Sequence, residues 1–185
     1  MNLRIVSSIS EIVDVFEQRG NSEYGGEDVT QIEHALQSAT LAESESASAE
    51  LISAALLHDF GHLIHNLPDD APDNGIDDFH EAAAAKSLCE VFPDSVTEPI
   101  KLHVRAKRYL CTTDKNYFSK LSHASVTSLN LQGGTMSDQE LHEFESYTYW
   151  QDALRLRVWD DLAKDPKIHT PELSHFIDFL ESSLI

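Results

Sequence analysis

Residues 54–65 read Ala-Ala-Leu-Leu-His-Asp-Phe-Gly-His-Leu-Ile-His, an apolar helical run that carries an adjacent His58-Asp59 pair and a further imidazole at His62. The pair offers two hard-to-borderline donors from one turn of backbone. On a continuous helix over 48–65, a His four residues after the first lies on the same face. A lone histidine on such a helix is usually a capping or packing residue. Here His34, His80, His103 and Asp160 each stand in an amphipathic segment of their own, so several helices can point donors at one centre.

Imidazole and carboxylate without thiolate favour iron, manganese, zinc or cobalt over copper(I) or iron–sulfur clusters. His34, His58, Asp59, His80, His103 and Asp160 are too many ligands for one catalytic ion that keeps open positions. Two ions bridged by Asp59 use them economically.

A chain of 185 residues, 41% hydrophobic and 24% charged, has the length and balance of one folded domain. No window approaches the ~20 apolar residues of a membrane span, and the N-terminus lacks the apolar core of a signal peptide. Cys89 and Cys111 have no paired spacing, so neither a disulfide framework nor a zinc knuckle is expected, and the cytoplasm is the expected compartment. The net charge of −19 opposes binding to nucleic acid or an anionic membrane. A small anionic substrate is compatible with it only where metal ions and placed cations reverse the field locally.

Helical periodicity runs through the chain. Ile9, Ile12, Val13 and Phe16 give a stripe over 8–19 that stops at Gly20, and the glycines of 21–27 read as a loop that could act as a lid. Thr30 and Glu33, and again Ser137 and Glu140, have capping-box spacing before helices carrying His34 and spanning 137–146. Residues 66–78 read as a loop, 80–92 as an alanine-rich helix opened by His80, and 149–164 as the helix of Asp160. Asp94 or Ser95 caps the helix of His103 and Lys107, with Pro99 near its first turn, and Thr170-Pro171 begins the last helix. No alternating strand pattern is longer than four residues. The expected fold is therefore all-α, a single-domain helical bundle around a buried dinuclear metal site.

These segments resemble the HD-domain superfamily of metal-dependent phosphohydrolases, named for the His-Asp dipeptide. The likeness is specific in Tyr24-x-x-Glu27, in His34 within Gln-Ile-Glu-His-Ala-Leu-Gln and in Ala-Leu-Leu-His58-Asp59-Phe-Gly-His62. It continues in His103-Val-Arg-Ala-Lys107, Leu-Gln132-Gly-Gly-Thr-Met and Arg-x-Trp-Asp160. Across roughly residues 20–165 they are similar to the mixed-valent diiron oxygenase branch, the 2-amino-1-hydroxyethylphosphonate dioxygenases and related phosphonate-operon HD proteins.

The resemblance implies a single HD-type domain over 1–185 and two irons, Fe(II) and Fe(III), with dioxygen as cosubstrate. It gives His34, His58, Asp59 and Asp160 to one iron and Asp59, His80 and His103 to the other. His62, Lys107, Ser125 and Gln132 match the set that binds the phosphonate. Taken singly, Lys107 would be a solvated helix lysine, Ser125 and Gln132 turn residues, and His62 a residue orienting its neighbour. Glu27 matches the residue that meets the substrate's ammonium, and Tyr24 one that occupies the open iron position until substrate displaces it. Tyr24, Glu27 and His62 are thus the implied catalytic residues. The implied reaction is oxidative cleavage of a 1-hydroxy-2-(amino or trimethylammonio)ethylphosphonate to glycine or glycine betaine and phosphate, and residues 73–79 keep the trimethylated substrate open.

Two other functions compete. An HD-type phosphohydrolase acting on a nucleotide or phosphomonoester would use the same six ligands to activate water, but it leaves Tyr24, Glu27 and Gln132 without a joint role. A non-catalytic metal-binding or ligand-sensing domain ranks lower, since no linker or second domain stands out to carry a signal. No obligate protein partner is evident.

Overall fold

The structure, a computed structural model, describes residues 4–65, 75 and 78–185. The expected loop at 66–78 falls almost wholly outside them. Within the described residues the fold is all-helical, with no strand beyond one isolated antiparallel bridge between Glu23 and Thr30. The helices are α1 (Ile9–Arg19), α2 (Gln31–Ser44), α3 (Ala49–Leu57), α4 (Phe60–Ile64), α5 (His80–Leu88) and α6 (Asp94–Thr113), then α7 (Lys115–Phe118), α8 (His123–Leu131), α9 (Asp138–Glu145), α10 (Trp150–Leu162) and α11 (Leu173–Ser182). None of them is long and apolar enough to cross a membrane.

Local chemistry starts several of these helices. The Ser8 side chain accepts from the Glu11 N–H at α1, and complete capping boxes form at Thr30/Glu33 and Ser137/Glu140. Every residue from Leu51 to Leu57 is buried, and a helix apolar on all sides must lie inside the bundle. Accordingly α3 packs against α2, α6, α10 and α11, and α6 lies along α10, α5 and α3. Trp159, Phe16, Phe60 and Phe92 anchor the main core, and Leu102, Ala106, Met136, Phe144 and Ala153 form a smaller one between α6, α9 and α10.

The helix expected over 48–65 is interrupted at the His-Asp pair: α3 ends at Leu57 and α4 starts at Phe60. His58 Nδ1 donates to the Ala55 carbonyl at 2.9 Å, the acceptor that the Asp59 N–H would use in a continuous helix, and a side chain that takes that carbonyl breaks the ladder. Asp59 then adopts φ −99° and ψ 12°, the sparsely allowed region between helix and strand. His62 is consequently not one unbroken turn above His58.

Other boundaries shift for identifiable reasons. α5 stops at Leu88 rather than 92, and Pro93 disfavours helical backbone at Phe92. Pro93 itself, and neither Asp94 nor Ser95, is the N-cap of α6, and Pro99 falls in its second turn. The last helix begins at Leu173 after Glu172. The short helices α7 and α8 were not anticipated; Asp114 and Ser122 cap them through the N–H groups of Asn116 and Ser125. Gly20 ends α1 in right-handed geometry, φ −64°. Its requirement is proximity, since a Cβ there would lie 2.5 Å from the Phe16 carbonyl oxygen and 2.9 Å from Ile32 Cβ.

A tighter backbone approach lies next to the His58-Asp59 pair. A Cβ on Gly61 would stand 2.0 Å from the His80 carbonyl oxygen and 2.8 Å from its Cα, so α4 and α5 touch backbone to backbone there. Gly61→Ala must push them apart at a cost of roughly 1–3 kcal/mol, read as a lower urea midpoint with unchanged slope. His80 moves with α5, so retained metal should fall as well. Unchanged stability would show that this contact is slack.

Candidate metal centre

Six side chains from five places in the chain converge at the break between α3 and α4. α2 supplies His34, the break His58 and Asp59, the start of α5 His80, α6 His103 and α10 Asp160. All six are buried, His34 and His58 with no exposed surface. They form two groups that share Asp59: His34, His58, Asp59 and Asp160 in one, Asp59, His80 and His103 in the other.

The carboxylate of Asp59 divides between them. Its Oδ2 lies 3.5 Å from His34 Nε2 and 3.3 Å from His58 Nε2, while Oδ1 lies 3.4 Å from His80 Nε2 and 3.5 Å from His103 Nε2. Asp160 Oδ1 closes the first group at 3.5 Å from His34 Nε2. Each imidazole is oriented by its other nitrogen. Nδ1 donates to a carbonyl in three cases, to Ala163 from His34 at 2.8 Å, to Ala55 from His58 at 2.9 Å and to Ile100 from His103 at 2.7 Å, and in the fourth to Asp78 Oδ1 from His80 at 2.8 Å. That assignment leaves every Nε2 with its lone pair facing inward.

The inward atoms then lack a partner of opposite polarity. His34 and His58 bring their Nε2 atoms to 3.0 Å, and His80 and His103 bring theirs to 3.1 Å. Asp59 Oδ1 is buried and accepts no hydrogen bond. Lone pairs this close repel unless a proton or a cation stands between them. Ligands roughly 2.1 Å from one ion at right angles are themselves about 3 Å apart, so the donors fit a metal in each group.

Titration behaviour shows the same demand for positive charge. Burial, helped by neighbouring His58, pushes His34 down to about 4, and burial pushes His103 well below its ordinary value. Against burial, Asp59 raises His58, and Asp78 with Asp59 raises His80 to about 9. Each group thus holds one neutral imidazole beside one that favours a proton. Burial opposes ionisation of Asp59 and Asp160 as well, yet His58 holds the first and Arg157 the second well below the usual carboxylate range.

His62 belongs to neither group. Its Nδ1 lies 2.7 Å from Asp78 Oδ2, which also faces His65 Nε2 at 3.0 Å, and its ring stacks on His80 with centroids 4.1 Å apart. Tyr24 lies flat on His34 with centroids 3.8 Å apart and donates from its hydroxyl to Asp160 Oδ1 at 3.4 Å. The loop before α2 is therefore pinned at this point. A turn from Tyr24 O to the Glu27 N–H, 2.8 Å, and positive φ at Gly25 and Gly26 bring Glu27 Oε1 to 3.5 Å from Lys164 Nζ.

Cations gather beside Asp160. Lys107 is only 3% exposed and donates to Ser128 Oγ at 2.8 Å. Lys164 donates to Ser125 Oγ at 3.1 Å. Arg157 pairs with Asp160 Oδ2 at 2.7 Å and also with Asp161, whose carboxylate takes the hydroxyl of Tyr117. Gln132, the C-cap of α8, has a buried Oε1 with no hydrogen-bond partner. The chain of net charge −19 thus concentrates three of its cations at one side of the buried cluster.

Sequence reading gave no role to Asp78, Ser128, Arg157 or Lys164. Arg157 lies one turn before Asp160, a spacing that signals an ion pair on a helix. Asp78 stands two residues before His80, within reach of a local side-chain contact. Lys164 lies beyond the end of α10 and reaches the site only through the tertiary fold, with no local signal.

No protein-family model matches the chain. Over 177 residues it is 44% identical to hydroxymethylphosphonate dioxygenase of Gimesia maris, an alignment covering 95% of this chain and 88% of that protein. Over 167 residues it is 41% identical to 1-hydroxy-2-(trimethylamino)ethylphosphonate dioxygenase (glycine-betaine-forming) of Leisingera caerulea, covering 90% and 85%. The chain belongs to the phosphonate dioxygenases. An uncharacterized protein of Acanthamoeba polyphaga mimivirus is 39% identical over 163 residues, 87% of this chain and 74% of its own.

Two outcomes follow for this dioxygenase. Asp59→Ala removes the one carboxylate common to both groups, so elemental analysis should find both metals lost; a variant with normal metal content would sink the bridging assignment. Burial and then Arg157 push Lys107 down to about 7, so its ammonium is full below that pH and vanishes above it. Inorganic phosphate or a phosphonate should therefore bind progressively more weakly as pH rises through about 7, measured by calorimetry. Lys107→Met should bind more weakly and lose that part of the pH dependence.

Proposed function

We propose that the protein is a diiron oxygenase that cleaves the carbon–phosphorus bond of a 1-hydroxyalkylphosphonate with dioxygen, built as a single HD-type domain over residues 1–185. The observation that carries this reading is the juxtaposition of two inward-facing donor groups sharing Asp59 with the buried cations Lys107 and Arg157. The named activities of the relatives support it. The proposed ligands are His34, His58, Asp59 and Asp160 for one iron and Asp59, His80 and His103 for the other. Bound there, the iron pair would supply dioxygen activation and Lewis acidity towards the substrate's oxygens.

The chain's own residues do the rest. Lys107 and Ser125, with the orphan amide oxygen of Gln132, form the proposed phosphonate pocket, to which the amide contributes an acceptor for a protonated oxygen. His62, held by Asp78 and stacked on His80, is the proposed donor at the opposite side of the substrate. Tyr24 covers His34 and must swing aside for substrate to reach the centre, which keeps water out until then. Lys107 and Arg157, both deeply buried, keep the pocket attractive to a dianion despite the acidic surface.

For the simplest hydroxyphosphonate the balance is one hydroxymethylphosphonate dianion plus dioxygen to formate plus dihydrogen phosphate. Iron-loaded protein supplied with hydroxymethylphosphonate and with 1-hydroxy-2-aminoethylphosphonate and its trimethylated analogue should release phosphate in step with oxygen consumed, and none anaerobically. Anaerobic phosphate release from a nucleotide, with no oxygen-dependent turnover of any phosphonate, would replace the oxygenase with a phosphohydrolase.

A further inference from the structure

The position of Lys164 narrows the substrate. Its Nζ donates to Ser125 Oγ at 3.1 Å, lies 3.5 Å from Glu27 Oε1 and sits 5.8 Å from the centre of the Tyr24 ring. One ammonium therefore joins the proposed phosphonate pocket to the carboxylate of Glu27. The lysine side chain is 14% exposed and that of Glu27 is 20% exposed, so the pair is shielded on most sides. Glu27 Oε1 itself is buried and makes no hydrogen bond, and the Lys164 ammonium beside it supplies the opposite charge.

A 1-hydroxyphosphonate with an ammonium on its second carbon spans the same two places. With its phosphonate at Ser125 and Lys107, its cation would reach for Glu27 and would meet Lys164 first. Like charges at that range, shielded from solvent, repel strongly. A trimethylated cation also needs room and aromatic faces, and the nearby ring, that of Tyr24, already faces the Lys164 ammonium.

We infer that Lys164 neutralises Glu27 from within the chain and so selects a 1-hydroxyalkylphosphonate that carries no ammonium group, hydroxymethylphosphonate being the smallest. This rests on the phosphonate-dioxygenase reading above. Lys164 then takes the part that an aminophosphonate would bring for itself, while its N–H donates to Ser125 in the proposed phosphonate pocket. Glu27 holds that lysine and is a positioning residue.

The test compares hydroxymethylphosphonate with the amino and trimethylammonio compounds in two ways, by kcat/KM on iron-loaded protein and by calorimetric binding to zinc-loaded protein, which does no redox chemistry. The wild type should favour hydroxymethylphosphonate by at least about tenfold in both. Lys164→Met should weaken hydroxymethylphosphonate and strengthen the trimethylammonio compound, so that the ratio falls or inverts. Glu27→Gln should weaken hydroxymethylphosphonate too, since Lys164 loses its anchor.

Equal or better use of either ammonium compound by the wild type overturns the inference while leaving the oxygenase reading intact, and needs no variant to be folded. Glu27→Gln that spares hydroxymethylphosphonate and selectively loses an ammonium substrate overturns it as well. Neither turnover nor binding of any of the three overturns both.

Discussion

Everything at the centre of this fold depends on a buried carboxylate whose two oxygens serve different neighbours. Asp59 offers Oδ2 to His34 and His58 and Oδ1 to His80 and His103. A carboxylate removed from water is costly unless compensated, and four imidazoles turned lone pair inward are poor compensation by themselves. The protein has paired every outer nitrogen with a carbonyl or with Asp78, which fixes ring orientation at the expense of leaving the interior electron-rich. The bundle is thus shaped to be completed by cations, and its core packing holds that arrangement open.

The architecture follows from the need to deliver six donors to one spot. No single helix can present both His58 and Asp59 inward while staying regular, and the chain resolves this by breaking at the pair. α3 remains the buried axis, α4 turns off it and meets α5 so closely that only glycine fits at position 61. α2, α6 and α10 bring one donor each, His34, His103 and Asp160, from their buried faces.

Much of this was legible because it is local. His34, His103 and Asp160 sit on helices whose apolar stripes and caps can be read along the chain, and the all-α class follows from the same periodicity. The break after Leu57 was not legible, because it arises when a side chain competes for the Ala55 carbonyl in a sequence that otherwise reads as continuous helix. α7 and α8 were hidden for another reason: they bury few residues, so periodicity is faint where they begin. Asp78 and Lys164 acquire their roles only through contacts across the folded chain, as with Lys164 and Ser125, 39 residues apart.

The stacking of Tyr24 on His34 ties the loop that carries Gly25 and Gly26 to α2. Because the phenol also reaches Asp160, one aromatic ring touches two of the proposed ligands at once. On the proposed ligand assignment, moving the ring away breaks its contacts to His34 and Asp160 together, and by linkage whatever fixes that imidazole and carboxylate also favours the closed loop.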